Sequence, residues 1–422
     1  MEPIYGEQTR LTLEHMSFSG VRLYDFPAYI QAALELKHAC AVANRKAGQL
    51  SLEKQEAISA ACRALTMPEY REQFPVDVFH GGGGIGINMN LNEVIAGFCD
   101  PALSIHPVDD VNLNQSTADI CHTALHIALI RMLRELIPAV QAFRDTVEEK
   151  EKDFYGVMTV ARTCWQDGLQ VSASAEMTGL KGVLDRFLSI LKEASLDLCE
   201  VNIGGTVIGS GTGASEAYRR TITGVLRNIT GLTLVQTEHP YEVAQYPENL
   251  TRLSSDIYGL ASVLSKFAKD IRIMSSGPET GLMEWKIPAV QAGSSFFPGK
   301  VNPVIPEMMI QCELLISSNH FVIQQALSMG EMHLNVWEEM MGFLLMKNLQ
   351  RLTRAVTLFR ENCLEGLKLN EEVCQRDAYA GIPLLVAFKE KYGYERLSAM
   401  VKKKGLTQVV RQLKQERNAD EQ

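Results

Sequence analysis

The chain lacks any C-x-x-C pair, and its nine cysteines are an odd number scattered from Cys40 to Cys374. That pattern fits reduced, mostly buried thiols better than a disulfide framework or a zinc site. No apolar run reaches the ~18 residues that suggest a membrane span. The opening MEPIYGEQTR has neither the basic nor the apolar region of a secretory leader, so the expected location is the cytoplasm. Positive charge is in deficit: 41 Lys and Arg stand against 50 Asp and Glu, a net charge of -9. With a pI near 5.6, nucleic acid and anionic membranes are poor partners, although a local basic pocket for a small anion, and small acidic substrates, remain possible. Internal repeats and low-complexity linkers are also missing.

What the chain does have is apolar periodicity. Its 422 residues are 46% hydrophobic, enough for a sizeable core and about two or three domains at ~150 residues each. Leu180, Val183, Leu184, Phe187, Leu188 and Leu191 recur at three-four spacing and predict one helix face. Leu250, Leu253, Ile257, Leu260, Leu264, Phe267, Ile271 and Met274 keep that alternation throughout, the seam of a helix lying almost parallel to its partners. From about Glu307 to Ala326 the chain is apolar nearly all round, as for a helix enclosed by others. Leu345, Leu349, Leu352, Val356 and Phe359 mark a further face. These long elements predict an elongated bundle. Before it, a helix from about Asp25 to Ala47 is closed by Gly48, and a second starts after the cap Ser51. After it, shorter helices follow CLEGLKLNEEVC and end in a polar tail.

Three stretches invite a chemical reading. HGGGGIGINMN contains G-x-G-x-x-G from Gly81 to Gly86, with Asp100 beyond it. The long helices that follow leave no room for the alternating strands of a dinucleotide fold, so this reading fails. His122 and His126 lie four apart without the glutamate of H-E-x-x-H, and two histidines alone fit packing better than metal binding. The third is GSSFFPGKVNPVIPE, residues 293 to 307, which is neither good helix nor good strand. A proline-punctuated connection would be its plainest explanation. Gly293, however, suits a loop that bends, Ser294 and Ser295 supply hydroxyls together, and Pro298 and Pro303 stiffen the segment. Lys300 and Asn302, two apart, share a face in an extended stretch. The set suits a carboxylate ligand.

This loop resembles the signature of the aspartase/fumarase superfamily, G-S-S-x-x-P-x-K-x-N-P-x-x-x-E, at every defining position. GINMNLNEVIA, HPVDDVNLNQSTAD, ARTCWQDG and NIGGTVIGSGTG resemble other blocks of that family in the correct order, from about Tyr5 to Gly393. The resemblance implies an all-α fold of three mostly helical domains, 1–118, 119–368 and 369–422. It also implies a central five-helix bundle that joins three others into the twenty-helix core of a homotetramer, with active sites shared between three subunits. The reaction implied is elimination beside a carboxylate, releasing fumarate from a dicarboxylate substrate.

By the same resemblance Ser294 is the general base and Lys300 its catalytic cation. Lys300, Asn302 and Thr163 bind one carboxylate. Ser116, Thr117 and Ser295 cradle the other, and Asn88 joins the substrate binders. Glu307 is a possible partner for Lys300. The leaving-group pocket departs from the family pattern. Where aspartase-like members place a threonine, an asparagine and a histidine or glutamine around the ammonium, this chain has Ile85, Ala118 and Cys164. Trp165 replaces a usual leucine, Gly86 and Ile87 replace hydroxyl residues with Gly86 leaving a roomier pocket, and His333 replaces a glutamate. An unpaired buried ammonium costs at least ~1–3 kcal/mol. The expectation is therefore a bulkier, less hydrophilic leaving group: a thiol, as in S-(2-succino)cysteine, or a substituted amine. L-Aspartate and a silent dicarboxylate-binding scaffold are the alternatives. Nothing in the site as read requires a metal or other cofactor.

Overall fold

The computed structural model describes residues 2–291 and 293–420. Helices come first: α1 (Glu7–Met16), α2 (Pro27–Lys46), α3 (Leu52–Ala64), α4 (Ile85–Phe98) and α5 (Thr117–Asp153). A hairpin of β1 (Met158–Thr163) and β2 (Gln166–Ser172) precedes α6 (Ala175–Asp197), β3 (Glu200–Val201), α7 (Glu216–Thr230) and β4 (Val235–Gln236). Next are α8 (Pro240–Gln245), α9 (Glu248–Met274), β5 (Trp285–Lys286), α10 (Val304–Ser328), α11 (Glu338–Phe359) and β6 (Lys368–Leu369). The chain closes with α12 (Glu371–Ala378), α13 (Gly381–Ala387), α14 (Lys389–Tyr392), α15 (Tyr394–Lys404) and α16 (Leu406–Asp420). Among the described residues the strands form only two-stranded pairs. The fold is all-α, and no described helix is long and apolar enough to cross a membrane.

Five helices stand out among the described residues: α5, α6, α9, α10 and α11, with 37, 23, 27, 25 and 22 residues. Each is far longer than the ~11–12 residue mean. On α9 the seam is buried from Leu250 through Ile271 as its spacing predicts, and only Met274, at the helix end, is partly exposed. The α11 face of Leu345, Leu349, Leu352, Val356 and Phe359 is fully buried. On α6, Leu180, Leu184, Leu188 and Leu191 are buried, while Val183 and Phe187 lie at the edges of the stripe, half-buried. Within this one chain helix α10, expected to be central or subunit-buried, is enclosed on one side only. Met309, Cys312, Ile316, Ile323 and Ala326 are buried, yet Leu314, Leu315, Phe321 and Val322 are exposed, Phe321 by 65%. One chain covers only one side of it.

The chain divides into two compact units. The first comprises Met1–Pro138, Ser189–Gly259 and Leu314–Thr353. In it α2 packs on α3 and α7. Pro27 occupies the first turn of α2, where its missing N–H costs nothing. The expected start at Asp25 shifts because that residue belongs to a preceding 3₁₀ turn. Ser51 caps α3 by accepting from the Lys54 N–H at 3.2 Å, and Gly48 takes φ +74° behind α2. The second unit comprises Ala139–Leu188, Leu260–Glu313 and Arg354–Gln422. Its core includes Phe143, Phe267, Phe359 and Trp285 in successive ring contacts of 5.4 to 6.2 Å, and its last helices enclose Leu384, Leu397, Val409 and Leu413.

Since Leu253 is buried in the α9 seam, Leu253→Ala is expected to destabilise the protein by about 2–5 kcal/mol. A lowered urea midpoint at unchanged slope is the expected observation, and an unchanged midpoint would show that the seam is not tightly packed.

Candidate active site

In the first unit the glycine run forms a turn that other residues resist. Gly81, Gly82, Gly83 and Gly84 all have positive φ, between 60° and 85°. A Cβ on Gly84 would stand 2.8 Å from Cys121 Sγ and 3.0 Å from Glu339 Cγ. The run delivers the chain into α4, whose first residue Ile85 is 50% exposed. Gly86 does not open extra room as expected, because a Cβ there would meet Thr12 at 2.8 Å and His80 Nε2 at 2.9 Å. Those side chains already fill the space.

One turn into α4, Asn88 Nδ2 donates to Thr117 Oγ1 and to Asn112 Oδ1, both at 3.1 Å. Its Oδ1 is buried without a partner among the described residues. Asn112 Oδ1 also accepts from Asn92 Nδ2 at 3.3 Å and from Lys37 Nζ at 2.9 Å, and Lys37 reaches Gln115 Oε1 at 2.8 Å. Lys37 is fully buried. Burial lowers its pKa to about 8, against smaller opposing effects from Cys40, Cys121 and Asp119. A buried amine thus holds the Asn112 oxygen that orients Asn88.

The start of α5 is fixed by Asp119. Its Oδ1 accepts from the Ser116 N–H at 2.9 Å, and its Oδ2 accepts from the N–H groups of Gly204 and Thr206 at 3.0 and 3.1 Å. The reach back from Asp119 to Ser116 is half of a capping box. Burial raises the Asp119 pKa to about 6 despite these three donors. Ser116, Thr117 and Ala118 therefore sit at the N-terminus of a long helix, whose dipole favours a carboxylate. The structure brings Asn88, Ser116 and Thr117 together in this way.

Apart from His333, which belongs to the first unit, the remaining sequence-predicted residues lie in the second unit. Thr163 pairs with Gln166 across the hairpin, leaving Cys164 and Trp165 as a two-residue turn with φ +53° and +61°. Such turns favour Asn-Gly, and a left-handed non-glycine residue costs about 1–3 kcal/mol. Both side chains are exposed, Trp165 by 67%. They line a cleft of about 820 Å³ with Thr159, Leu282 and Trp285.

In the 293–307 loop, Ser294 Oγ accepts from the N–H groups of Phe296 and Phe297 at 3.0 and 2.9 Å. Two such donors favour a negative oxygen. Ser294 and Lys300 line one cleft of about 450 Å³ with Gly293 and Val290. Ser295 is exposed nearby. Gly293 is required for space and not for unusual angles, since a Cβ would fall 1.6 Å from the Lys300 carbonyl oxygen. Asn302 does not line this cleft, because its Nδ2 donates to the Gly293 carbonyl and closes the loop base. Glu307 is not the partner of Lys300 either. It lies 3.3 Å from Arg272, and the Lys300 ammonium stands 5.1 Å from the Phe297 ring centroid.

These sites occur in a chain whose residues 2–316 match the model of a lyase family. The chain is 34% identical over 413 residues to aspartate ammonia-lyase of Helicobacter pylori, covering 96% of itself and 88% of that relative. It is 31% identical over 432 residues to fumarate hydratase class II of Bacillus subtilis, with 100% and 93% covered. The chain belongs to the aspartase/fumarase superfamily. Among solved structures, a fumarate lyase:delta crystallin from Brucella melitensis bound to cobalt superposes with a TM-score of 0.93 at 35% identity, covering 99% of this chain and 93% of that one. The class II fumarase of Schistosoma mansoni gives a TM-score of 0.92 at 27% identity, with 99% and 92% covered. This aspartase/fumarase member is accordingly a lyase of that type.

Sequence reasoning missed Lys37, Asn112, Gln115 and Asp119. The spacing S-T-A-D of Ser116 to Asp119 carried a capping signal, and a lysine amid the apolar residues of mid-α2 carried a weak one. Lys37→Met keeps the bulk and removes the donors, so kcat/KM is expected to fall about 10-fold or more, the ~1–3 kcal/mol of unmade buried hydrogen bonds. From about pH 8 to 10.5 the unfolded chain holds a proton that folded Lys37 releases, so this residue makes stability rise with pH across that window. Urea midpoints at both ends should show a rise in the wild type that Lys37→Met loses, and equal rises would contradict it.

Proposed function

We propose that this lyase performs β-elimination on a C2-substituted succinate, releasing fumarate and a leaving group other than ammonia, a thiol or a substituted amine. Ser294 Oγ takes the C3 proton, the C–H electrons become the C2–C3 double bond, and the C2–S or C2–N bond breaks with its electrons passing to the departing group. Lys300 and Thr163 hold one carboxylate, and Asn302 joins them once its amide leaves the Gly293 carbonyl. Ser116, Thr117, Ser295 and Asn88 hold the carboxylate where enediolate charge develops, which is where preorganised donors contribute most. Two N–H donors on Ser294 Oγ and a neighbouring lysine support its role as base.

The observation that carries the choice of leaving group is apolar substitution at three positions. Ile85, Ala118 and Cys164 offer an ammonium no charged or strong acceptor group, and the exposed Trp165 adds apolar surface. Similarity to aspartate ammonia-lyases favours the second reading, in which L-aspartate is the substrate. Fumarate absorbance is the test, with L-aspartate, malate, argininosuccinate and S-(2-succino)cysteine offered separately. Turnover of a bulky conjugate alone is expected, and efficient turnover of L-aspartate alone would overturn the proposal. Ser294→Ala is expected to retain binding and lose about 10²–10⁴-fold in kcat, whereas a silent scaffold would show no turnover to lose.

The same proposal includes the three-domain division at 118/119 and 368/369, action in the cytoplasm, and a homotetramer with sites shared between subunits. The exposed α10 residues Leu314, Leu315, Phe321 and Val322 support assembly, since a second copy of this chain would cover an apolar face continuous with the bundle. Light scattering is expected to give four times the 46.9 kDa chain mass, and Phe321→Glu is expected to yield smaller, inactive species. A wild type that is an active monomer would exclude the assembly.

A further inference from the structure

Two histidines and a glutamate meet in the first unit outside the residues assigned above. His122 and His126, one turn apart on α5, have ring centroids 4.0 Å apart, and both are buried, exposed by 3% and 1%. Glu338 in the first turn of α11 approaches His122 Nδ1 with Oε1 at 2.6 Å. One potential ligand atom from each residue lies within 4.8 Å of the others. We propose that His122, His126 and Glu338 bind a divalent transition-metal ion of the zinc or cobalt class, one turn below the Ser116–Thr117 cradle.

The hydrogen bonds present the ring nitrogens for this. His126 Nδ1 faces two acceptors, the carbonyl oxygens of Leu198 at 3.1 Å and Glu200 at 3.0 Å. It must therefore carry the proton, and in the neutral ring Nε2 keeps a lone pair. Burial, with the neighbouring His122, pushes the His126 pKa well below the imidazole range, so the ring is neutral at ordinary pH. His122 Nδ1 donates to Glu338 Oε1, and an ion entering between these two atoms takes both as ligands while the ring proton moves to the buried Nε2, which has no hydrogen-bond partner among the described residues. An imidazole anchored through Nδ1 by backbone carbonyls, as His126 is, is a usual presentation of a metal-binding histidine.

Asn249 adds a fourth polar group. Its Nδ2 lies 3.4 Å from His126 Nε2, and its Oδ1 is buried without a partner among the described residues. A turned amide would offer that oxygen instead. A cleft of about 150 Å³ is lined by Leu198 and Asn249, both beside His126, together with Glu193, Asp197, Asp256 and Arg252, and although Arg252 pairs with Asp197 at 3.4 Å the cleft's net charge is acidic. Tetrahedral bonds of ~2.0–2.2 Å set ligand atoms about 3.4 Å apart, so a separation of up to 4.8 Å closes by as much as about 1.4 Å, a shift that falls to the partly buried Glu338 side chain. Two imidazoles favour zinc, cobalt or nickel over magnesium. The bound ion would tie the start of α11 to the helix that carries the cradle.

The test uses the full-length protein, stripped with a chelator and titrated with Co²⁺ alone. Visible d–d bands saturating at one ion per chain are expected, displaced by Zn²⁺ and unaffected by excess Mg²⁺. Zn²⁺ should raise the melting temperature of the wild type and leave that of His122→Gln or His126→Gln unchanged. If a histidine variant fails to fold by circular dichroism, Glu338→Gln replaces it, with affinity expected to fall about 10–100-fold. Absent bands, bands that survive in the folded variants, or Mg²⁺ competing as well as Zn²⁺ would each overturn the proposal.

Discussion

Both oxygens of the Asp119 carboxylate are committed to backbone N–H groups, one to Ser116 and the other to Gly204 and Thr206. With these contacts a single buried side chain fixes where α5 begins and pins a glycine-rich loop against that start. Thr117 then stands where Asn88 can reach it at 3.1 Å, and Asn88 is held in turn by Asn112, whose oxygen accepts from Lys37. Remove the carboxylate and the ends of this chain of contacts lose their common reference. The cost is a carboxyl and an amine kept out of water, which is why burial displaces the pKa of Asp119 upward and that of Lys37 downward. The network fixes geometry through its partnered groups, while the buried Asn88 Oδ1 has no partner among the described residues.

The second unit solves a different problem, which is to expose reactive groups without letting them drift. A two-residue turn holds Cys164 and Trp165 at positive φ, a conformation more natural to glycine and asparagine. The 293–307 loop is closed by Asn302 on the Gly293 carbonyl, while Ser294 and Lys300 face a common cleft. Strain at the turn and close backbone approach in the loop are local expenses that the long packed helices offset. In the first unit, the exposed apolar residues of α10 leave that helix finished on one side only within this chain.

Periodicity made the helices legible because burial of an apolar stripe dictates it: every seam position from Leu250 to Ile271 is buried as its spacing required. The loop motif was legible because glycine, proline, lysine and asparagine have few reasons to cluster otherwise. Contacts set by tertiary distance were not legible. Glu307 faces Arg272 because both come from one unit's packing, and seven-residue spacing from Lys300 carries no information about that. Gly86 read as open space, yet Thr12 and His80 occupy it. Glu338, more than two hundred residues from His122, converts a bare histidine pair into a cluster, and the two histidines alone could not announce it.

The central claim is that Ile85, Ala118 and Cys164 exclude ammonium from the leaving-group position. Restoring the family's polar groups together, as Ile85→Thr, Ala118→Asn and Cys164→His, tests it most directly through kcat/KM for L-aspartate against that for S-(2-succino)cysteine. A shift in this ratio toward L-aspartate by about 10-fold or more, the equivalent of ~1.4 kcal/mol, is the result expected. A folded triple variant whose ratio equals that of the wild type would contradict the account.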